Sequence, residues 1–294
     1  MKTSQEEAGY RSHALPDLLT DLEHGGVNIP SGDYRLIVAD RKTLVWAQHL
    51  DQETTAVIKM YRHRGGIGWQ RERYFRFRVQ REFDALAFLS AHRVPCTRPI
   101  FWSYGHSPHF GRYELLATHE IAHAEQLDTF TRTREPAITE PLLFAAYGLV
   151  RLMHKSGCHH GAMFPRNILI TGWDTAAPSA YILDLPQAIL FHYNITGTRM
   201  AWIDLYALTF RVIRHAGAAR CIALLRHYGL EDGAARRLVN HVIAHPSSKL
   251  KKTLFRAECE VWERLATLGI ASAGFWGRMR TLPPRPGTHG RDPV

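Results

Sequence analysis

The sequence predicts an α+β fold in two lobes, a small β-rich lobe over residues 31–118 and a larger, mainly helical lobe over residues 119–280. Three observations predict it. Three apolar runs, Tyr34-Arg-Leu-Ile-Val-Ala, Thr43-Leu-Val-Trp-Ala and Thr55-Ala-Val-Ile-Lys-Met-Tyr61, are separated by charged or polar turns and read as an antiparallel meander. A helical stripe of Val79, Phe83, Leu86 and Ser90 follows and stops at Val94-Pro95. Beyond residue 119 the apolar spacing is mainly helical, interrupted by short strand-like runs.

Each element follows from local chemistry. Residues 1–30 are polar and lead into the turn-rich run His24-Gly-Gly-Val-Asn-Ile-Pro-Ser-Gly-Asp33, so they read as an N-terminal extension, a short helix plus a connector. Early acidic residues and the lack of a continuous apolar segment do not fit a signal peptide. Arg62-His-Arg-Gly-Gly-Ile-Gly68 reads as a glycine-rich loop, and strands around Ile100-Phe-Trp and Tyr113–Thr118 complete the small sheet. His119–Glu125 is a polar bridge. Leu142, Ala146, Leu149 and Met153 then mark an amphipathic helix ending at Ser156-Gly157. Short strands at Asn167–Ile170 and Ala180–Asp184 flank a Trp-Asp-Thr-Ala-Ala-Pro turn, and helical spacing runs from Trp202 to about Met279. The proline- and glycine-rich residues 281–294 read as a disordered tail.

Bulk properties narrow the class. With 294 residues and 45% apolar content, the chain is long enough for two lobes that each bury a core. A formal charge of +10 predicts an anionic partner. No run of about 18 uncharged apolar residues occurs, which excludes an ordinary membrane-spanning helix. Cys96, Cys158, Cys221 and Cys259 form no CxxC pair and read as reduced packing residues of a cytoplasmic protein. The 18 histidines include no HExxH or Cys/His set with zinc spacing. Between Arg62 and Arg81 seven arginines alternate with Trp69, Tyr74, Phe75 and Phe77, a composition suited to anionic glycolipid, to single-stranded nucleic acid or to a solvated face. Without an RNP, zinc-finger or helix-turn-helix signature, no nucleic acid is expected.

A few residues carry chemistry. Lys59 lies inside an apolar strand, where a lysine must snorkel, meet a carboxylate or contact a ligand phosphate. Glu82, on the following helix, is placed to be that carboxylate. Asn167 and Asp184 border two short strands and offer the oxygen ligands that magnesium accepts. His160 precedes Asn167 on the intervening loop, and an imidazole titrates near neutral pH.

These motifs together resemble the lipopolysaccharide core heptose/Kdo kinase family, which belongs to the protein-kinase-like superfamily. The resemblance spans roughly residues 34–215. It rests on Ala-Val-Ile-Lys59-Met-Tyr, Arg81-Glu82-Phe-Asp-Ala-Leu with Val94-Pro95 and Arg98-Pro99, Leu116-Ala-Thr-His-Glu120-Ile, His160-Gly-Ala-Met-Phe-Pro-Arg-Asn167-Ile-Leu, Ile182-Leu-Asp184-Leu and Asp204-Leu-Tyr-Ala-Leu208. It implies a bilobal protein-kinase-like fold with ATP held between the lobes and Mg2+ as cofactor. Lys59 and Glu82 would orient the ATP phosphates, Asn167 and Asp184 would hold the metal, and backbone atoms near Glu120 and Ile121 would receive adenine. Asp204 would brace the catalytic loop. The implied acceptor is an anionic lipopolysaccharide core glycolipid, met by peripheral contact at the cytoplasmic face of the inner membrane.

Three residues or motifs depart from the protein-kinase pattern. Ala162 stands where a substrate-orienting Asp belongs, Asp184-Leu-Pro replaces Asp-Phe-Gly, and the first hairpin has no GxGxxG. The expected activity is therefore an ATP-dependent sugar kinase in which His160, or His159 beside it, is a candidate proton acceptor. The alternative is an ATP-binding pseudokinase acting as a regulatory scaffold.

Overall fold

Period-two alternation sets the first part of the molecule. The computed structural model describes residues 34–39, 43–50, 54–63, 78–107, 111–133, 135–175 and 177–245. The N-terminal extension, most of the glycine-rich loop and arginine-rich run, Cys259, the helical pattern after residue 245 and the tail lie outside the described residues. The chain divides into two compact units, Met1–Phe88 with Thr97–Ala122, and Leu89–Cys96 with His123–Val294.

In the first unit five strands, β1 (Tyr34–Ala39), β2 (Thr43–His49), β3 (Thr55–His63), β4 (Pro99–Ser107) and β5 (Gly111–His119), form one sheet. Its order is β1-β2-β3-β5-β4, and every neighbouring pair is antiparallel. Successive side chains of a strand point to opposite faces. Ile58 and Met60 of β3 therefore join Trp46, Leu44, Leu115 and Ala117 in one buried cluster. Lys59, between them, falls on the other face with Tyr61, directly across from Val45 and Leu116.

Helix α1 (Arg78–Ala91) carries the partner of Lys59. The sequence stripe placed Phe83 among its inward positions, whereas the buried residues include Val79, Glu82, Ala85 and Leu86, and Phe83 is only half-buried. A glutamate occupies an inward position because Lys59 and Tyr61 provide polar partners there. The helix has no acidic residue in its first turn. Glu114 of β5, fully buried, supplies that carboxylate: its Oε2 accepts the Val79 N–H at 3.0 Å, while His63 Nε2 lies 2.5 Å from its Oε1.

The second unit is mainly helical. Helix α2 (Leu127–Thr133) and α3 (Pro136–Ser156) are followed by β7 (Cys158–His159), while β6 (Glu125–Gln126) pairs with β8 (Ile168–Thr171), and β8 pairs with β9 (Ser179–Ile182). Strand β10 (Ile189–Leu190) pairs with β7, and α4 (Arg199–Tyr228) and α5 (Asp232–Ala244) follow. Leu142, Ala146, Leu149 and Met153 are all buried, as their helical spacing predicts. Each of the leucine and methionine side chains contributes about 1.5–3 kcal/mol. Helix α3 ends at Gly157, whose φ of 97° suits glycine, and a Cβ there would stand 2.2 Å from the Phe191 carbonyl oxygen. Thr198 caps α4 by accepting the Ala201 N–H, and Gly217 (φ 76°, ψ 167°) breaks that helix. Cys96, Cys158 and Cys221 are buried and form no disulfide among the described residues.

Candidate active site

In the first unit Lys59 Nζ lies 3.1 Å from Glu82 Oε1, and Tyr61 Oη donates to Glu82 Oε2 at 3.5 Å. The side chain of Lys59 is 19% exposed and that of Glu82 only 3%. Glu82 is therefore held inside, while Lys59 keeps access to solvent. At the end of β5 the Glu120 carboxylate pairs with Arg35 of β1, and the Glu120 N–H donates to the Thr55 carbonyl at 2.8 Å. Ile121 follows directly, outside the sheet ladder.

In the second unit strand register brings two distant residues to one end of a hairpin. Ile168 of β8 pairs with Ile182 of β9, so Asn167 just before β8 faces the residues just after β9. The Leu183 N–H donates to the Asn167 carbonyl at 3.1 Å, and Asp184 comes next. The sequence placed Asn167 at the start of a strand, but Pro165 instead opens a 3-10 turn over Pro165–Asn167. Asn167 is buried, and its Nδ2 donates to the Ala162 carbonyl at 2.8 Å. That bond fixes the amide and leaves Oδ1 as its acceptor. Asp184 has φ 62°, the left-handed region a non-glycine residue rarely adopts. Such backbone persists only where the surroundings impose it, and it clusters at functional sites.

The intervening loop hangs on one carboxylate. Asp204, fully buried in α4, accepts the N–H groups of His160 (2.7 Å) and Gly161 (3.0 Å), and His154 Nε2 lies 3.2 Å away. His159 Nδ1 is 3.0 Å from the same carboxylate but is not aligned for a good hydrogen bond, so its influence is mainly electrostatic. Burial alone would raise the Asp204 pKa, yet the His159 and His154 rings outweigh it and hold the carboxylate well below its usual range. Gly161 has φ 77°, and a Cβ there would meet the Gln187 carbonyl oxygen at 2.7 Å. Only glycine fits the turn.

Both ring nitrogens of the buried His160 are engaged. Its Nδ1 accepts the Ala162 N–H at 3.3 Å, and its Nε2 donates to the Leu183 carbonyl at 3.2 Å, one residue before Asp184. Ala162 presents no polar side chain. Burial pushes the His154 and His160 imidazoles below their ordinary value of 6.5. For such groups the unfolded chain binds protons first, so their stabilising effect is present above 6.5 and declines as pH falls below it. Calorimetry should show the melting temperature dropping between about pH 7 and about pH 5, with a shallower slope in His154→Gln. A melting temperature that rises over that interval would contradict the assignment.

The sequence singled out Lys59, Glu82, Glu120, Ile121, His160, Asn167, Asp184 and Asp204. The structure pairs Lys59 with Glu82, links Asn167 through Ala162 and His160 to the segment entering Asp184, and ties that loop to Asp204. Sequence reasoning missed His154 and Gly161. It offered His159 only as an alternative proton acceptor beside His160, and on a strand two adjacent histidines must face different surroundings.

A strand lysine paired to a helix glutamate in the first unit, and Asn and Asp at one hairpin end in the second, are features that a kinase-like protein requires. The model of the Lipopolysaccharide kinase (Kdo/WaaP) family matches residues 40–228, and the chain belongs to that family. A solved structure described as WaaP in complex with acyl carrier protein shares the fold, with a TM-score of 0.53 and 18% identity, over 76% of this chain and 89% of that one. Comparison with curated proteins gives no match.

Proposed function

We propose that the chain transfers the γ-phosphate of ATP to a heptose or Kdo hydroxyl of the lipopolysaccharide inner core, with Mg2+ as cofactor. The observation that carries the reading is the 3.1 Å contact of Lys59 with an almost wholly buried Glu82. A lysine oriented by such a carboxylate presents a fixed cation to nucleotide phosphates. The Glu120 amide is already bonded, so adenine would meet the Glu120 carbonyl and the Ile121 amide. Magnesium takes one or two protein oxygens and keeps several waters, a demand that Asn167 and Asp184 fit. Bound there, the ion would neutralise charge on the transferred group. His160 acts as a positioning residue between the loop and Asp184. Family membership supports the acceptor class, and the charge of +10 supports peripheral contact with an anionic inner-membrane face from the cytoplasm. Among the described residues no helix is long and apolar enough to cross a membrane.

A second reading, an ATP-binding pseudokinase, is favoured by one observation. Ala162 offers no proton acceptor, and the nearby His160 ring is fully engaged. General-base catalysis typically contributes about 10²–10⁴ in rate, so its loss leaves either slow turnover or none that matters. Thermal shift with Mg-ATP and ADP release with purified inner-core glycolipid test both readings. The kinase reading expects Mg-ATP to raise the melting temperature and Ala162→Asp to speed ADP release by about 10²-fold or more. Stabilisation without turnover, in the native chain and in Ala162→Asp alike, leaves the pseudokinase. An unchanged melting temperature removes both.

A further inference from the structure

We propose that Arg166, Arg211 and Arg214 form the anion-binding part of the acceptor site, taking a phosphate or carboxylate group carried by the sugar; the assignment to an acceptor rests on the kinase reading above. Arg166 lies in the 3-10 turn, immediately before Asn167. Its guanidinium carbon is 5.2 Å from the centre of the Phe164 ring. Helix α4 packs against that turn and brings Arg211 to 5.8 Å from the same ring. Arg211 also lies 5.6 Å from the Phe210 ring, and Arg214 lies 5.4 Å from it. Two aromatic rings thus gather three cations from two elements beside the proposed metal ligand.

The way these cations are held matters. A guanidinium over a ring face within about 6 Å is attracted by the ring quadrupole, and its in-plane N–H groups stay available for a forked contact with an oxyanion. Arg132, Arg226 and Arg236, in contrast, direct nitrogen atoms toward Asp128 or Asp232. Among the described residues no carboxylate forms an ion pair with Arg166, Arg211 or Arg214, and all three are exposed. Like charges gathered without counter-charge repel one another, and an incoming anion relieves that repulsion. The fork geometry suits phosphate and carboxylate alike. Neither ring nor cation belongs to the Lys59–Glu82 pair, so the site is separable from nucleotide binding.

The test titrates the full chain with deacylated inner-core saccharide that retains its phosphates and Kdo carboxylates, with the same saccharide after phosphatase treatment, and with phosphatidylglycerol vesicles. Arg166→Gln and Arg211→Gln should each weaken saccharide binding by about tenfold or more, because each removes charged hydrogen bonds. Arg211→Lys keeps the charge but loses the fork and should fall between native and Gln. The Mg-ATP thermal shift should be the same in both Arg211 variants, whose position on α4 is remote in sequence from the proposed metal ligands. Phosphatase treatment decides between phosphate, if binding falls, and carboxylate, if it persists. Affinity within twofold of native in both Gln variants overturns the proposal, as does native binding to vesicles alone or to neither probe. Arginine-dependent saccharide binding in a chain that ignores Mg-ATP retains the anion site and discards the kinase reading.

Discussion

Asp184→Asn should bind ATP no more tightly with magnesium than without it, and should release ADP about 10³-fold more slowly than the native chain, if the native chain turns over. Asparagine tolerates the left-handed backbone at this position, so the nucleotide-free melting temperature should move by no more than about 2 °C. Lys59→Ala should behave differently. Glu82 is almost wholly buried, and removing its cation leaves a carboxylate with poor compensation, so stability should fall along with nucleotide affinity. Calorimetry and ATP titration of the two variants separate a ligand-facing group from one that also holds the fold. Retained magnesium dependence in Asp184→Asn would remove this residue from the metal site.

The second large effect is expected at Asp204→Ala, where the loss should reach about 3–5 kcal/mol, or roughly 10 °C in melting temperature. Two backbone N–H groups and two histidine rings converge on this carboxylate, and truncation orphans them inside the protein. Exposed Asp174→Asn serves as the control and should stay within about 0.5 kcal/mol. Equal melting temperatures for the two variants would show that the loop does not depend on Asp204. The replacement should also reduce activity, since the same bonds place His160 and Gly161 ahead of Asn167.

Much of this arrangement was legible from residue order. Alternation in Thr55–Tyr61 put Lys59 and Tyr61 on the face opposite Ile58 and Met60, and Glu82 follows on the next helix. Gly157 marked the end of α3 because its left-handed backbone closes a helix at little cost. What stayed hidden was long-range. Asp204 reads locally as a helix acid, and only the family resemblance, not its neighbourhood, implied that it braces the loop whose amides 160 and 161 it accepts. The gathering of Arg166 and Arg211 on Phe164 likewise depends on how α4 packs, which no single period encodes. Glu82 was named as the partner of Lys59, but its burial falls outside the apolar stripe because it depends on that cation from the sheet.

Glu114 has one more consequence. Since a side chain rooted in β5 grips the Val79 amide, the start of α1 is moored to the sheet itself. The strand that neighbours β3 thus anchors the very helix that carries Glu82, so the distance between Lys59 and its carboxylate is set in part by the ladder joining β3 to β5.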